Sequence, residues 1–176
     1  EGLHTNAVYG FLNIMFKVLD EEKPEYLTVT FDVHAPTFRH KMFADYKGTR
    51  KPMAEELRQQ VPVIKDVLKA MNIEIIEKEG LEADDLLGTI SCMCEEKGMD
   101  VSIISGDRDT LQLATEHVKI RIPKTKQGRT EVEDYNASDV IEKYGVTPKE
   151  FIDVKALMGD ASDNIPGVPG VGEKTA

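Results

Sequence analysis

Acidic side chains gather at four places in this chain, each where an apolar run breaks. Gly80-Leu81-Glu82-Ala83-Asp84-Asp85 puts three carboxylates within four positions. Asp32 ends the run Tyr26-Leu27-Thr28-Val29-Thr30-Phe31. Asp107 and Asp109 follow Val101-Ser102-Ile103-Ile104-Ser105, and Asp160 and Asp163 follow a helix-like stretch. An acid at a helix start is often only a cap favoured by the macrodipole. An Asp after a strand is often only a turn residue. Their recurrence at matching places argues for chemistry. So many ionised carboxylates cannot share a small space unless cations neutralise them. Oxygen ligands without His or Cys favour Mg²⁺ or Mn²⁺ over zinc. Two such ions suit in-line hydrolysis of a phosphodiester, with a metal-activated water as nucleophile.

Two other stretches have partner chemistry. Residues 38–52 are rich in cations interleaved with aromatic rings: Arg39, Lys41, Lys47, Arg50 and Lys51 alternate with Phe38, Phe43 and Tyr46. Cations of this kind hold phosphates, and rings stack on unpaired bases. A solvated basic loop is the plain alternative. Gly167-Val168-Pro169-Gly170-Val171-Gly172-Glu173-Lys174 is a glycine hairpin whose backbone N–H groups suit a phosphate, against an ordinary helix–helix turn as the alternative.

The elements that must position these groups follow from periodicity. Apolar residues at helical spacing predict helices over 3–20, with Thr5 or Asn6 as cap, and over about 52–71, where Pro62 introduces a bend. Strands are expected at 26–32, 73–77 and 101–105. A helix runs from the 82–85 carboxylates to about Lys97, with Gly98 as its stop. A short helix to about Leu113 comes next, then a β-hairpin of 118–123 and 130–135 around 124–129. A helix capped by Asn136 or Ser138 ends at Gly145, and another spans 149–158. A further helix opens in the glycine-rich stretch from Gly167. Alternating strands and helices give an α/β fold with a largely parallel central sheet. Its carboxyl edge would carry the acids.

The composition bounds the reading. The 176 residues suffice for one domain with a substantial core. A formal charge of −10 disfavours nucleic acid if taken alone. Metal-site carboxylates are neutralised by their ions, however, and the basic stretch at 39–51 is separate from them. Cys92 and Cys94, two apart on a helix, point to different faces, so a disulfide or zinc pair is not expected and a reducing cytoplasm fits. No membrane-spanning run or signal peptide is present. The chain opens at Glu1 without an initiator Met and stops at Ala176 inside a motif. It reads as a segment of a longer protein.

Six blocks together carry a family resemblance. They are Phe31-Asp32, Phe38-Arg39-His40, Tyr46-Lys47-Gly48-Thr49-Arg50, Glu82-Ala83-Asp84-Asp85, Ser105-Gly106-Asp107-Arg108-Asp109 and Gly159-Asp160-Ala161-Ser162-Asp163-Asn164-Ile165-Pro166-Gly167-Val168. In order and spacing they resemble the 5′-nuclease domain family of bacterial type I DNA polymerases, within the wider flap endonuclease group. The resemblance implies a PIN-like catalytic core at 1–158 with an arch at about 36–52. At 159–176 it implies the start of a helix–three-turn–helix that grips duplex DNA with the help of K⁺. It also implies metal-dependent 5′-3′ exonuclease and flap endonuclease activity in primer removal and repair. The DNA would carry a 5′ flap, a nick or a single-stranded 5′ end.

By the same resemblance Asp32, Glu82, Asp84 and Asp85 belong largely to one metal site, and Asp107, Asp109, Asp160 and Asp163 to a second. Arg39, Tyr46, Lys47 and Arg50 steer the scissile phosphate. Lys41, Lys51, Gly167, Val168, Gly170, Val171, Gly172 and Lys174 join Arg39, Lys47 and Arg50 in binding DNA. A C-terminal polymerase region and a bacterial cytoplasmic location are implied too. The family's first strand, with a catalytic Asp, precedes Glu1, so weak metal binding and poor cleavage are expected of these residues alone. A DNA-binding module with a degenerate centre and a stand-alone exonuclease are the competing readings.

Overall fold

The computed structural model describes residues 2–126 and 129–176, with side chains left out of account at 125–130. The expected turn at Gln127 and Gly128 therefore lies outside the described residues. Helix α1 (Asn6–Glu22) packs on α4 (Gln60–Ala70). Val8, Met15, Ile64 and Leu68 form a core with Phe11, Leu12, Val29 and Ile75 around them. Strands β1 (Thr28–Thr30) and β2 (Glu74–Ile76) pair in parallel over this core.

The second half is built on β3 (Val101–Ile104), β4 (Val118–Lys126) and β5 (Arg129–Tyr135). The β3–β4 pair is parallel and β4–β5 is an antiparallel hairpin. Ile103, Leu111, Val118, Ile120, Val140 and Phe151 form its core. Helix α5 (Ala83–Glu95) packs against both β1 and β3 and so joins the halves. The order is β2-β1 in one sheet and β3-β4-β5 in another, with both β1–β2 and β3–β4 parallel as expected. Between β1 and β3 lies a cleft of about 1230 Å³, lined by Met15, Val18, Val29, Leu87, Ile90 and Ile103 among others.

A buried cation ties α1 to the second sheet. Arg121 on β4 bonds Glu21 at 2.7 Å and Asp134 at 2.8 Å, and its Nη1 lies 2.8 Å from Glu22. Glu22 also receives Lys119 at 2.8 Å and the Ser102 hydroxyl at 2.8 Å. Three carboxylates on one buried guanidinium (7 % exposed) fix the end of α1 over β3 and β4.

Several boundaries differ from sequence expectation for physical reasons. Thr5 makes no side-chain cap on α1. Gln60 does so from α4, accepting from Ala7 N at 2.7 Å and Val8 N at 3.3 Å, a long-range partner that local sequence cannot reveal. The helix expected at 52–71 is two pieces, α3 (Glu55–Arg58) and α4. The break falls at Gln59, three residues before Pro62, because a proline displaces backbone bonding in the turn ahead of it. The helix after Asp107 is a tight 3₁₀ segment, Arg108–Leu113. Residues 167–176 make turns and form no helix.

Helices α6 (Ala137–Tyr144) and α7 (Glu150–Met158) lead to a two-residue antiparallel ladder of β6 (Gly159–Asp160) and β7 (Ile165–Pro166). Gly159 and Gly167 are required there. A Cβ at Gly159 would stand 2.2 Å from Gly167 N, and one at Gly167 would stand 2.2 Å from the Met158 carbonyl carbon.

Candidate active site

Each acid is delivered by the end of an element. Asp32 follows β1, and its Oδ1 accepts from Ala83 N at 2.7 Å, capping the start of α5. Glu82, Asp84 and Asp85 occupy that start. Asp107 precedes the 3₁₀ segment and accepts from Asp109 N at 2.9 Å. Asp160 lies on β6 and Asp163 in the loop before β7. The cap and turn roles weighed for these acids are thus real, and they set the directions in which the remaining oxygens face.

Three of the four groups meet around Asp84. This carboxyl is open to solvent on one side but walled in elsewhere. Partial burial, and then the charges of Asp107, Asp32 and Glu82, push it up to about 6. Asp32 and Asp107, distant in sequence, therefore act with neighbouring Glu82 on one carboxyl. Among the described residues, no group of three acidic, His or Cys side chains is already closed to metal-binding spacing. The donors gather as a negative pocket rather than a finished cage.

Basic side chains hold the outer acids. Arg39, on the short helix α2 (Phe38–Met42), bonds both oxygens of Asp85 at 2.8 Å. That hydrogen bonding holds Asp85 below the usual carboxylate range, with Asp85 Oδ2 also accepting from Glu82 N at 2.9 Å. Lys47 bonds Glu82 at 2.8 Å. Arg50 pairs with Asp163 and donates to the Ser162 carbonyl at 3.1 Å. The buried Tyr46 hydroxyl sits 3.1 Å from Glu82 and 3.0 Å from Asp163. Burial and those two charges push its phenol far above the usual range.

The basic segment is also seated through its backbone. Lys47 N donates to Asp163 O at 2.8 Å, and Asn164 Nδ2 donates to Asp45 O at 2.8 Å. Lys47 and Asn164 both take left-handed backbone angles, with φ of 56° and 57°. His40 meets Tyr46 edge-on at 5.1 Å, Arg39 lies 4.6 Å over Phe38, and Lys47 lies 5.0 Å from the Tyr46 ring centroid. The aromatic interleaving read from the sequence thus braces the cations. Lys41 and Lys51 are exposed and stand apart from this network.

Sequence reading missed Lys155 and Asn164. Lys155 Nζ lies 2.9 Å from Asp109 and 3.0 Å from Asp160. Burial keeps Asp109 above its ordinary value despite this contact. Burial also works against Asp160, but bonds from Ser162 and Lys155 hold it well below. A single lysine on a helix has no sequence signal of its own; only the turn of α7 shows which acids it reaches. In the glycine hairpin, Gly170 takes φ of 80°, and Gly170, Gly172 and Lys174 are exposed. Some N–H groups there are already spent: Val168 on Leu157 O, Val171 on Val168 O and Gly172 on the Thr175 hydroxyl.

This fold and this acid set define a class, and comparison with known proteins agrees. Residues 1–145 match the family described as 5′-3′ exonuclease, N-terminal resolvase-like domain, and residues 146–176 match 5′-3′ exonuclease, C-terminal SAM fold. The chain belongs to the 5′-3′ exonuclease family. It is 51 % identical over all 176 residues to the DNA polymerase I of Bacillus caldotenax and to that of Bacillus subtilis (strain 168). It spans only 20 % of the length of each. Among solved structures, T5 5′-exonuclease with bound divalent metal ions (zinc) matches at a TM-score of 0.76 and 27 % identity, over 95 % of this chain and 64 % of that one. T5 D15 flap endonuclease, in a pseudo-enzyme-product complex with DNA and metal ions, matches at 0.75 and 26 %, over 94 % and 63 %.

Proposed function

We propose that this chain is the 5′-3′ exonuclease and flap endonuclease segment of a bacterial, cytoplasmic DNA polymerase I. It would hydrolyse DNA phosphodiester bonds at 5′ flaps, nicks and single-stranded 5′ ends in primer removal and repair. The observation that carries the reading is the convergence of Asp107, Asp32 and Glu82 on Asp84, whose carboxyl is pushed up to about 6 by burial and then by those charges. A pocket of carboxylate oxygen donors without His or Cys fits hard divalent cations, Mg²⁺ or Mn²⁺, better than zinc. Two ions would be held by Asp32, Glu82, Asp84 and Asp85 on one side and by Asp107, Asp109, Asp160 and Asp163 on the other. When bound, such ions supply an activated water and stabilise charge on the phosphate.

The chain's own side chains do the rest. Arg39, Lys47 and Arg50 face the pocket and give cations for the phosphate beside the cut. Tyr46 holds the segment bearing them against Glu82 and Asp163. Lys41, Lys51 and Lys174, all exposed, would meet more distant phosphates. The hairpin around Gly167, Val168, Gly170, Val171 and Gly172 would lie on the duplex, with K⁺ as its expected ion.

A labelled 5′-flap duplex, with Mg²⁺ present or withheld, tests this in the complete nuclease region. Asp107→Ala and Asp84→Ala are expected to lower cleavage far more than binding. Arg50→Ala should impair placement of the scissile phosphate. Undiminished turnover by the Asp variants would refute the metal-dependent reading and favour a DNA-binding module.

A further inference from the structure

Lys155 reaches the acids from behind, on α7, away from the basic segment that faces DNA in the reading above. Its ammonium sits between Asp109 Oδ1 and Asp160 Oδ2, at 2.9 and 3.0 Å. Those carboxylates come from different elements, the 3₁₀ segment after β3 and the β6 ladder. The lysine side chain is 29 % exposed, so the contact is shielded on most sides.

We propose that Lys155 is a built-in counter-cation that competes with a divalent ion for Asp109 and Asp160. The proposal rests on the metal-site reading given above. A hard divalent ion binds carboxylate oxygens at about 2.0–2.6 Å. An ammonium already within 3.0 Å of the same two oxygens cannot stay between them when the ion enters. Lys155 therefore holds the two elements together while the site is empty of metal and withdraws along its flexible stem on loading. It is a positioning residue whose charge weakens metal affinity at this pair.

The test is metal binding by the complete nuclease region that contains this chain, without DNA and without turnover. Mn²⁺ is titrated to millimolar concentration and the free ion is followed by electron paramagnetic resonance, for the unaltered chain, Lys155→Met and Lys155→Arg. Removing a neighbouring unit charge should tighten the weaker of two Mn²⁺ sites by about tenfold. Lys155→Arg, which keeps the charge, should stay near the original affinity. A purely structural tether predicts the opposite for Lys155→Met, namely looser binding. Equal or looser binding by Lys155→Met, with two ions still bound by the unaltered chain, overturns this proposal alone. Failure of the unaltered chain to bind Mn²⁺ overturns the metal-site reading together with it.

A second measurement reads the unaltered protein, with Lys155→Arg used only to assign the signal. Lysines are reductively ¹³C-methylated and Mg²⁺ is added. The Lys155 methyl resonance, assigned by its absence in Lys155→Arg, should shift as the weaker site fills. A stationary resonance during that filling refutes the displacement.

Discussion

Asp84→Asn is expected to stabilise the metal-free protein at alkaline pH. The surroundings raise the folded-state carboxyl from 3.8 to about 6. An acid with a raised folded pKa opposes folding when ionised. The cost is absent below the unfolded value, grows as pH climbs from about 4 to 6, and is complete above that. A shift of this size corresponds to about 3 kcal/mol. Asp84 is open to solvent on one side, and screening there reduces the effect to about 1 kcal/mol.

Urea denaturation with a chelator present measures it. With a slope of about 2 kcal/mol per molar urea, the midpoint of Asp84→Asn at pH 8 should exceed that of the unaltered chain by about 0.5 M. The gap should narrow as pH falls and close near the ordinary carboxylate range. Millimolar Mg²⁺ should stabilise the unaltered chain more than the variant. A variant less stable at pH 8, or a gain of the same size at every pH, refutes the claim that burial and the charges of Asp107, Asp32 and Glu82 raise Asp84.

Three further outcomes are expected. Tyr46→Phe removes the hydroxyl shared by Glu82 and Asp163 and should lower stability by about 1–2 kcal/mol, read as a drop in thermal midpoint. Gly159→Ala forces a Cβ into Gly167 N at 2.2 Å. It should open the β6–β7 ladder, seen as rapid proteolysis near 158–167 while the rest of the chain stays resistant. Arg121→Met strands Glu21, Glu22 and Asp134 without their common partner and should cost about 3 kcal/mol in urea denaturation.

Much of this architecture was legible in the residues. The strands at Thr28–Thr30, Glu74–Ile76 and Val101–Ile104 fall where apolar β-rich runs predict them, and the acids fall at their ends. α5 packs on both β1 and β3, so strand-end acids on the two sheets, Asp32 and Asp107, both act on Asp84 at its start. What stayed hidden depends on partners distant in sequence. Gln60 capping α1, Lys155 spanning Asp109 and Asp160, and Asn164 holding Asp45 are each set by packing angles that periodicity does not encode. Asp85 shows both sides: its place at a helix start was evident, but its two oxygens turn to Arg39 from 46 residues away.

The cleft between β1 and β3 bears on the chemistry from a distance. One bank ends in Asp32 and the other leads to Asp107, with α5 moored to both. Widening the crevice by a fraction of an ångström would spread the opposing oxygens by a similar amount. Mg²⁺ demands near-ideal octahedral ligand distances and punishes such drift. Whatever wedges or tightens those banks thereby sets the gauge between the acids of the proposed site, without touching a single one.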